Sequence, residues 1–300
     1  MASIRARLYN RILRKTIRDR LLPEGYEGLQ QARANTGANG ITAFLMRSKS
    51  TAPAFKIGDM DAEWVGNPDA DITLLYLHGG GYVLGSIDTH RAMVSRLCGF
   101  GDIRGLIVDY RLAPENPYPS AIEDAEAAYD YLVENGVAPE NMVLAGDSAG
   151  GGLSLALMQQ LRAHDKKQPR AAGLLSPWTD LTISGRSHKE RDQRDPMIDI
   201  SRMPEAIDFY CANHDKKNPL ISPLFADLTG FPPLLIQVGT EEVLFDDSTR
   251  LAENAKKAKI DVELQVWQDM AHVHQLAHRL VPESKAALKD MAAFFRRKTA

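Results

Sequence analysis

Ser148 stands in Gly146-Asp147-Ser148-Ala149-Gly150, a G-x-S-x-G pattern with the apolar run "NMVLAG" (141–146) before it and a helical pattern after it. A sharp strand-to-helix turn strains the serine backbone, and neighbours without bulky side chains relieve the clash. The hydroxyl then projects at a helix N-terminus, whose dipole favours negative charge, as a nucleophile requires. Without that role Ser148 would be a helix cap in a glycine-rich turn. A second signal lies at the end of "LLYLHGGGYVLGS", where His78 is followed by Gly79, Gly80, Gly81 and Tyr82. Three glycines in a row let backbone N–H groups approach a substrate closely and aim at an oxyanion. The Ala149 N–H, next to the nucleophile, supplies another donor. A phosphate cradle is the other use of such glycines, but the Lys-Ser/Thr of a P-loop and a G-x-G-x-x-G are both missing. His78 reads as a hydrogen-bonder that shapes this loop.

A serine nucleophile needs a base, placed after the last strand in the chain order Ser, acid, His. "VELQVWQDMAHVHQL" puts His272 there, with His274 two residues on and His278 beyond. His272 is preferred because it is nearer the strand end. The three histidines also have the spacing of a metal set, yet no acid-rich partner motif accompanies them, so no metal is expected. The acid must come from "VGTEEVLFDD" (238–247). Asp246 and Asp247 precede a helical pattern, and helix start and dipole are sufficient reason for them. Glu241 and Glu242 sit at a strand end, and both remain candidates on position alone.

The elements that would hold these groups alternate from residue 70 onward. Strands are expected at 72–78, 105–110, 141–146, 171–176, 233–239 and 262–267, with amphipathic stretches between several of them and at the C-terminus. Continuous apolar character marks a parallel sheet buried on both faces by helices. Two segments break the alternation: the N-terminal region through about residue 45, and the highly charged 182–222. The organisation expected is N-terminal cap helices (1–45), core (46–181), a cap or lid insertion (182–222) and the rest of the core (223–300). The N-terminus is Arg-rich, with Ile4, Leu8, Ile12, Ile17 and Leu21 at helical spacing and one acid, Asp19. It reads as a helix docked apolar side down on the protein; a membrane-surface helix or a transit peptide is the alternative.

With 44% hydrophobic and 25% charged residues among 300, the chain has the composition of a globular protein. A net charge of −3 gives no reason to expect nucleic acid. Cys98 and Cys211 form no disulfide framework and suit a reducing, cytoplasmic setting. No apolar run approaches the length of a membrane span.

HGGGY (78–82), "DYRLAPENPYP" (109–119), GDSAGG (146–151), "SPWTDL" (176–181) and "HV" (272–273) together resemble the hormone-sensitive lipase family of esterases. The resemblance implies an α/β-hydrolase fold: a central, mostly parallel sheet flanked by helices, with a helical cap. It implies hydrolysis of small-molecule esters with short to medium acyl chains, no cofactor, and a tendency to homodimerise. Carried over, Ser148 is the nucleophile, His272 the base, and Gly79, Gly80, Gly81 and Ala149 the oxyanion hole. The family's acid register, with Leu244 in place, falls on Glu242, where many relatives have Asp. The same triad serves lactones and N-acetyl amides, so these stand as alternative substrates. A non-catalytic ligand receptor on this scaffold is the reading from another class.

Overall fold

A computed structural model describes residues 2–18, 21, 24–35 and 53–300. Asp19, the 36–45 end of the expected N-terminal cap and the 46–52 start of the core lie outside the described residues. The strands are β1 (Phe55–Ile57), β2 (Met60–Gly66), β3 (Thr73–Leu77), β4 (Arg104–Val108), β5 (Met142–Asp147), β6 (Ala171–Leu175), β7 (Leu234–Gly239) and β8 (Val262–Trp267). They make one sheet in the order β1-β2-β4-β3-β5-β6-β7-β8. β1 and β2 run antiparallel at one edge; every pairing from β4 to β8 is parallel. This is the α/β-hydrolase fold.

Successive residues of each central strand serve opposite faces, as the pleat requires. Leu75, Leu77, Leu144 and Leu174 pack with Ile122, Leu157 and Leu251. These come from α4 (Ser120–Glu134), α5 (Ala149–Ala163) and α8 (Phe245–Lys257). Leu74, Tyr76, Val143 and Leu175 pack on the other side with Met93, Leu97, Leu288, Met291 and Phe295. Those belong to α3 (Ile87–Gly101) and α9 (Pro282–Thr299). Burial on both faces explains the unbroken apolar runs of β3 to β7.

The six expected strands are all present, but β1, β2 and α3 were not anticipated. β2 hides its pattern because Glu63 sits at a buried position, bound at 2.7 Å by both Nε and Nη2 of Arg91. α3 is buried along most of its length between the sheet and α9, so it lacks the polar stripe that marks an amphipathic helix.

The two segments outside the alternation meet each other. Between β6 and β7 the chain forms α6 (Ser187–Glu190) and α7 (Met203–Cys211); α1 (Ile4–Thr16) and α2 (Gly25–Asn35) come from the N-terminus. Arg14 donates to the carbonyls of Gln193 and Arg194, Arg18 pairs with Asp192 at 2.8 Å, and the Gly25 N–H donates to Glu205. Tyr210 of α7 stacks on Tyr82 with ring centroids 3.7 Å apart, which seats this layer on the glycine loop after β3.

The apolar side of α1 differs from the expected stripe. Ala6, Tyr9 and Leu13 face inward and pack with Met270, Ala271 and Val281. Ile4 and Leu8 are 75% and 56% exposed. The helix is docked, but on Ala6, Tyr9 and Leu13, with only Ile17 of the expected row packed against the same cluster. Spacing alone cannot separate two apolar faces of one helix.

Candidate active site

Ser148 lies between β5 and α5 with φ 53° and ψ −122°, a conformation that side-chain-bearing residues avoid. The glycines around it answer to close approach of backbone. A Cβ on Gly150 would lie 2.0 Å from the Leu77 carbonyl, and one on Gly146 would lie 2.3 Å from the Gly150 carbonyl. The strained serine is held at both ends: its N–H donates to the Leu175 carbonyl at 2.9 Å, and its carbonyl accepts from Trp178 at 2.8 Å.

The glycine loop after β3 is tied to the same turn through Asp147. This buried carboxylate accepts the Tyr76 hydroxyl at 2.7 Å and the Gly79 N–H at 3.0 Å. Gly79 is therefore not a free oxyanion donor, which corrects the expectation for that residue: its N–H is committed to Asp147. Among the described residues, the Gly80 and Gly81 N–H groups donate to no protein acceptor. The Ala149 N–H opens α5, where a helix leaves its first amides unpaired. Gly80 and Gly81 have φ of 125° and 64°, which turns the loop sharply over the strand end. His78 shapes this loop as expected, with Nδ1 2.8 Å from the Gly79 carbonyl and its ring stacked on Tyr110 at 4.2 Å. Burial lowers its pKa to about 3, so it stays neutral. Behind it, His90 Nε2 lies 3.2 Å from Asp147. Burial works against charge on both partners, but their attraction wins, holding His90 above and Asp147 below their ordinary values.

Of the two candidate acids, Glu242 reaches a histidine. It is fully buried after β7, with Oε2 2.8 Å from His272 Nδ1. Its Oε1 accepts from the Gly239 N–H at 2.5 Å and from Ser176 Oγ at 2.9 Å. Glu241 points the other way, into an ion pair with Arg194. His272 follows β8 and is buried; desolvation disfavours its charged form, but the Glu242 bond and charge outweigh this and raise its pKa above the ordinary imidazole value. His274 is a core residue near Trp267 and Ser284, pushed down to about 3 by burial alone. His278 is likewise lowered to about 4, and the three histidines meet different surroundings.

Sequence reasoning missed three supports. Ser176, with φ 45°, donates to Glu242 and accepts the Val273 N–H at 3.2 Å, joining the acid to the histidine loop directly beside the backbone that holds Ser148. Asp195 comes from the 182–222 insertion. Its carboxylate accepts the Val243 N–H at 2.9 Å, and those of Met197 and Ile198, right behind the catalytic-acid candidate. Burial raises its pKa to about 6 against the pull of His272. The third is Asp147. Asp246 and Asp247 do start α8, but they do more than serve its dipole. Asp247 is fully buried, accepts the Thr179 and Asp180 N–H groups, and stands 3.1 Å from His188 of α6. Asp246 accepts the Ser187 N–H at 3.1 Å.

A strained serine at a helix start, free amides on an adjoining loop, and a buried acid–histidine pair all gather where parallel strands end at their carboxyl edge. That is the class of the serine-hydrolase-type α/β hydrolases. A family model described as an α/β-hydrolase fold matches residues 74–276. An acetyl-hydrolase of Streptomyces hygroscopicus is 45% identical over 247 residues, covering 81% of this chain and 82% of its own. An esterase of Acinetobacter venetianus is 37% identical, over 74% of this chain and 73% of its own. Among solved structures, an esterase from the bacterial hormone-sensitive lipase family superposes with a TM-score of 0.92 at 36% identity, covering both chains fully. The esterase EstE5, soaked with p-nitrophenyl butyrate, gives 0.90 at 37% identity over 99% of each chain. The chain belongs to the hormone-sensitive lipase family of α/β hydrolases and is an enzyme of the carboxylesterase type.

Proposed function

We propose that the protein hydrolyses short- to medium-chain carboxylic esters through a Ser148–His272–Glu242 triad and a covalent acyl-enzyme. The observation that carries this reading is the buried Glu242–His272 pair, linked by Ser176 to the backbone of the strained Ser148 turn. His272 Nε2 takes the Ser148 proton as Oγ attacks the ester carbonyl, and Nδ1–H stays bonded to Glu242, which fixes the tautomer. Negative charge gathers on the carbonyl oxygen, facing the Gly80, Gly81 and Ala149 N–H groups. Collapse returns the proton to the departing alcohol. Water, deprotonated by the same imidazole, then attacks the acyl-serine and releases the acid.

The helices α1, α2, α6 and α7 act as the cap over this site in the proposal, and their mutual bonds and the Tyr82–Tyr210 stack support it. The short-chain preference draws on the acetyl-hydrolase relative and on the butyrate ester soaked into EstE5. A cytoplasmic setting fits the two buried free cysteines, and homodimer formation belongs to the same reading. The test is a rate profile over p-nitrophenyl esters of rising acyl length, with lactones and acetanilides alongside. Highest kcat/KM on acetyl to hexanoyl esters is the expected result. A maximum on long-chain esters would displace the chain-length assignment, and a maximum on lactones or amides the acyclic-ester assignment itself.

A further inference from the structure

We propose that the outward face of α1 is a docking surface for membranes rich in anionic phospholipid. The helix is anchored from below by Ala6, Tyr9 and Leu13, and among the described residues nothing packs on its opposite side. That side carries Ile4 and Leu8, one helical turn apart and 75% and 56% exposed, with partly buried Ile12 continuing the row. Arg5, Arg7, Arg11 and Lys15 flank the row, all exposed, and none of their four side chains is in a hydrogen bond or ion pair among the described residues. By contrast Arg14, on the same helix, is spent on the carbonyls of Gln193 and Arg194. Residues 4–16 hold five cations and no acid in a chain whose net charge is −3.

An apolar ridge bordered by unpaired cations matches the boundary between headgroups and acyl chains. Ile4 and Leu8 would enter the apolar layer while the cations meet lipid phosphates. Nucleic acid would use the cations and leave the ridge in water. A second copy of this chain would bring four like charges against four. Lipid satisfies both halves of the surface. Among the described residues no helix is long and apolar enough to cross a membrane, so the attachment is peripheral. The opposite, inward face of α1 rests on Met270 and Ala271, the residues before His272, so the helix separates the docking surface from the site.

The test is co-sedimentation of the full chain with vesicles of phosphatidylcholine and phosphatidylglycerol at 70:30, against pure phosphatidylcholine. Binding to the anionic vesicles that disappears at high salt is the expected result. Each cation removed should weaken partitioning about fivefold, so Arg7→Gln with Arg11→Gln together should cost roughly 25-fold. Leu8→Ser should cost about tenfold or more. All three positions are exposed and remote from the reacting groups, so unfolding midpoints and turnover of a water-soluble short ester should not change. Equal binding to both vesicle types, no binding to either, or variants that bind like the parent would overturn the proposal. So would retention of duplex DNA without vesicle binding, or self-association abolished by Leu8→Ser without vesicle binding.

Discussion

At the residue scale, adjacent acids with the same chemistry have opposite roles. Glu242 is buried against His272, while Glu241 is spent on surface Arg194. Glu242→Gln should lower kcat on the order of 10³–10⁴-fold, because the imidazole loses the anion that orients it. Glu241→Gln should stay within about twofold, since an exposed ion pair is worth little. Kinetics of the two variants on one short ester decide this; the reverse order would refute the assignment. Ser176→Ala removes a hydrogen bond to a charged group and should cost about tenfold in kcat with little change in KM. The pH profile has a definite sign. Protonated His272 cannot accept the Ser148 proton, and its pKa is raised, so activity should climb as pH rises through a midpoint above about 6.5. A midpoint below that value in a kcat/KM profile would contradict the Glu242 coupling. Ser148, His272 and the glycine loop could be proposed from the sequence because each follows a strand end. Ser176 and Asp195 could not, because their partners lie 66 and 48 residues away.

At the element scale, α1 shows where helical periodicity fails. Two apolar rows share one helix, and the row containing Ile4 and Leu8 is the one left outside. Leu13→Ala should destabilise the protein by about 2–4 kcal/mol, whereas Leu8→Ala should fall within about 0.5 kcal/mol of the parent. Urea unfolding of the two variants, read from midpoints at equal slope, checks this. The expected strands β3 to β7 were readable because two-sided burial leaves continuous apolar runs, whereas β8, half-buried at the sheet edge, carries Glu263 and Gln265 in its run. β2 was obscured by the buried Glu63–Arg91 pair, a contact across elements that no local pattern announces. Asp247 has the same character. Asp247→Ala would leave the Thr179 and Asp180 amides without their acceptor and remove the partner of His188. A loss of about 3 kcal/mol in the same unfolding assay is expected.

On the scale of the whole molecule, the parallel strands β3 to β8 bring residues from positions 79 to 272 to a single edge. β3 ends in the glycine loop, β5 in Ser148, β6 in Ser176, β7 in the Glu242 turn and β8 in the His272 loop. The chain order of the motifs implied this convergence. The strand order and the antiparallel β1–β2 edge were not in any motif, since they depend on pairing between distant segments. The most direct measurement is pre-steady-state hydrolysis of p-nitrophenyl butyrate, followed by intact-mass and peptide analysis of quenched enzyme. A burst of p-nitrophenol with a butyryl group on Ser148 is expected, both absent in Ser148→Ala. Turnover persisting above a few per cent in that variant, or an acyl group found on another residue, would contradict the Ser148 assignment.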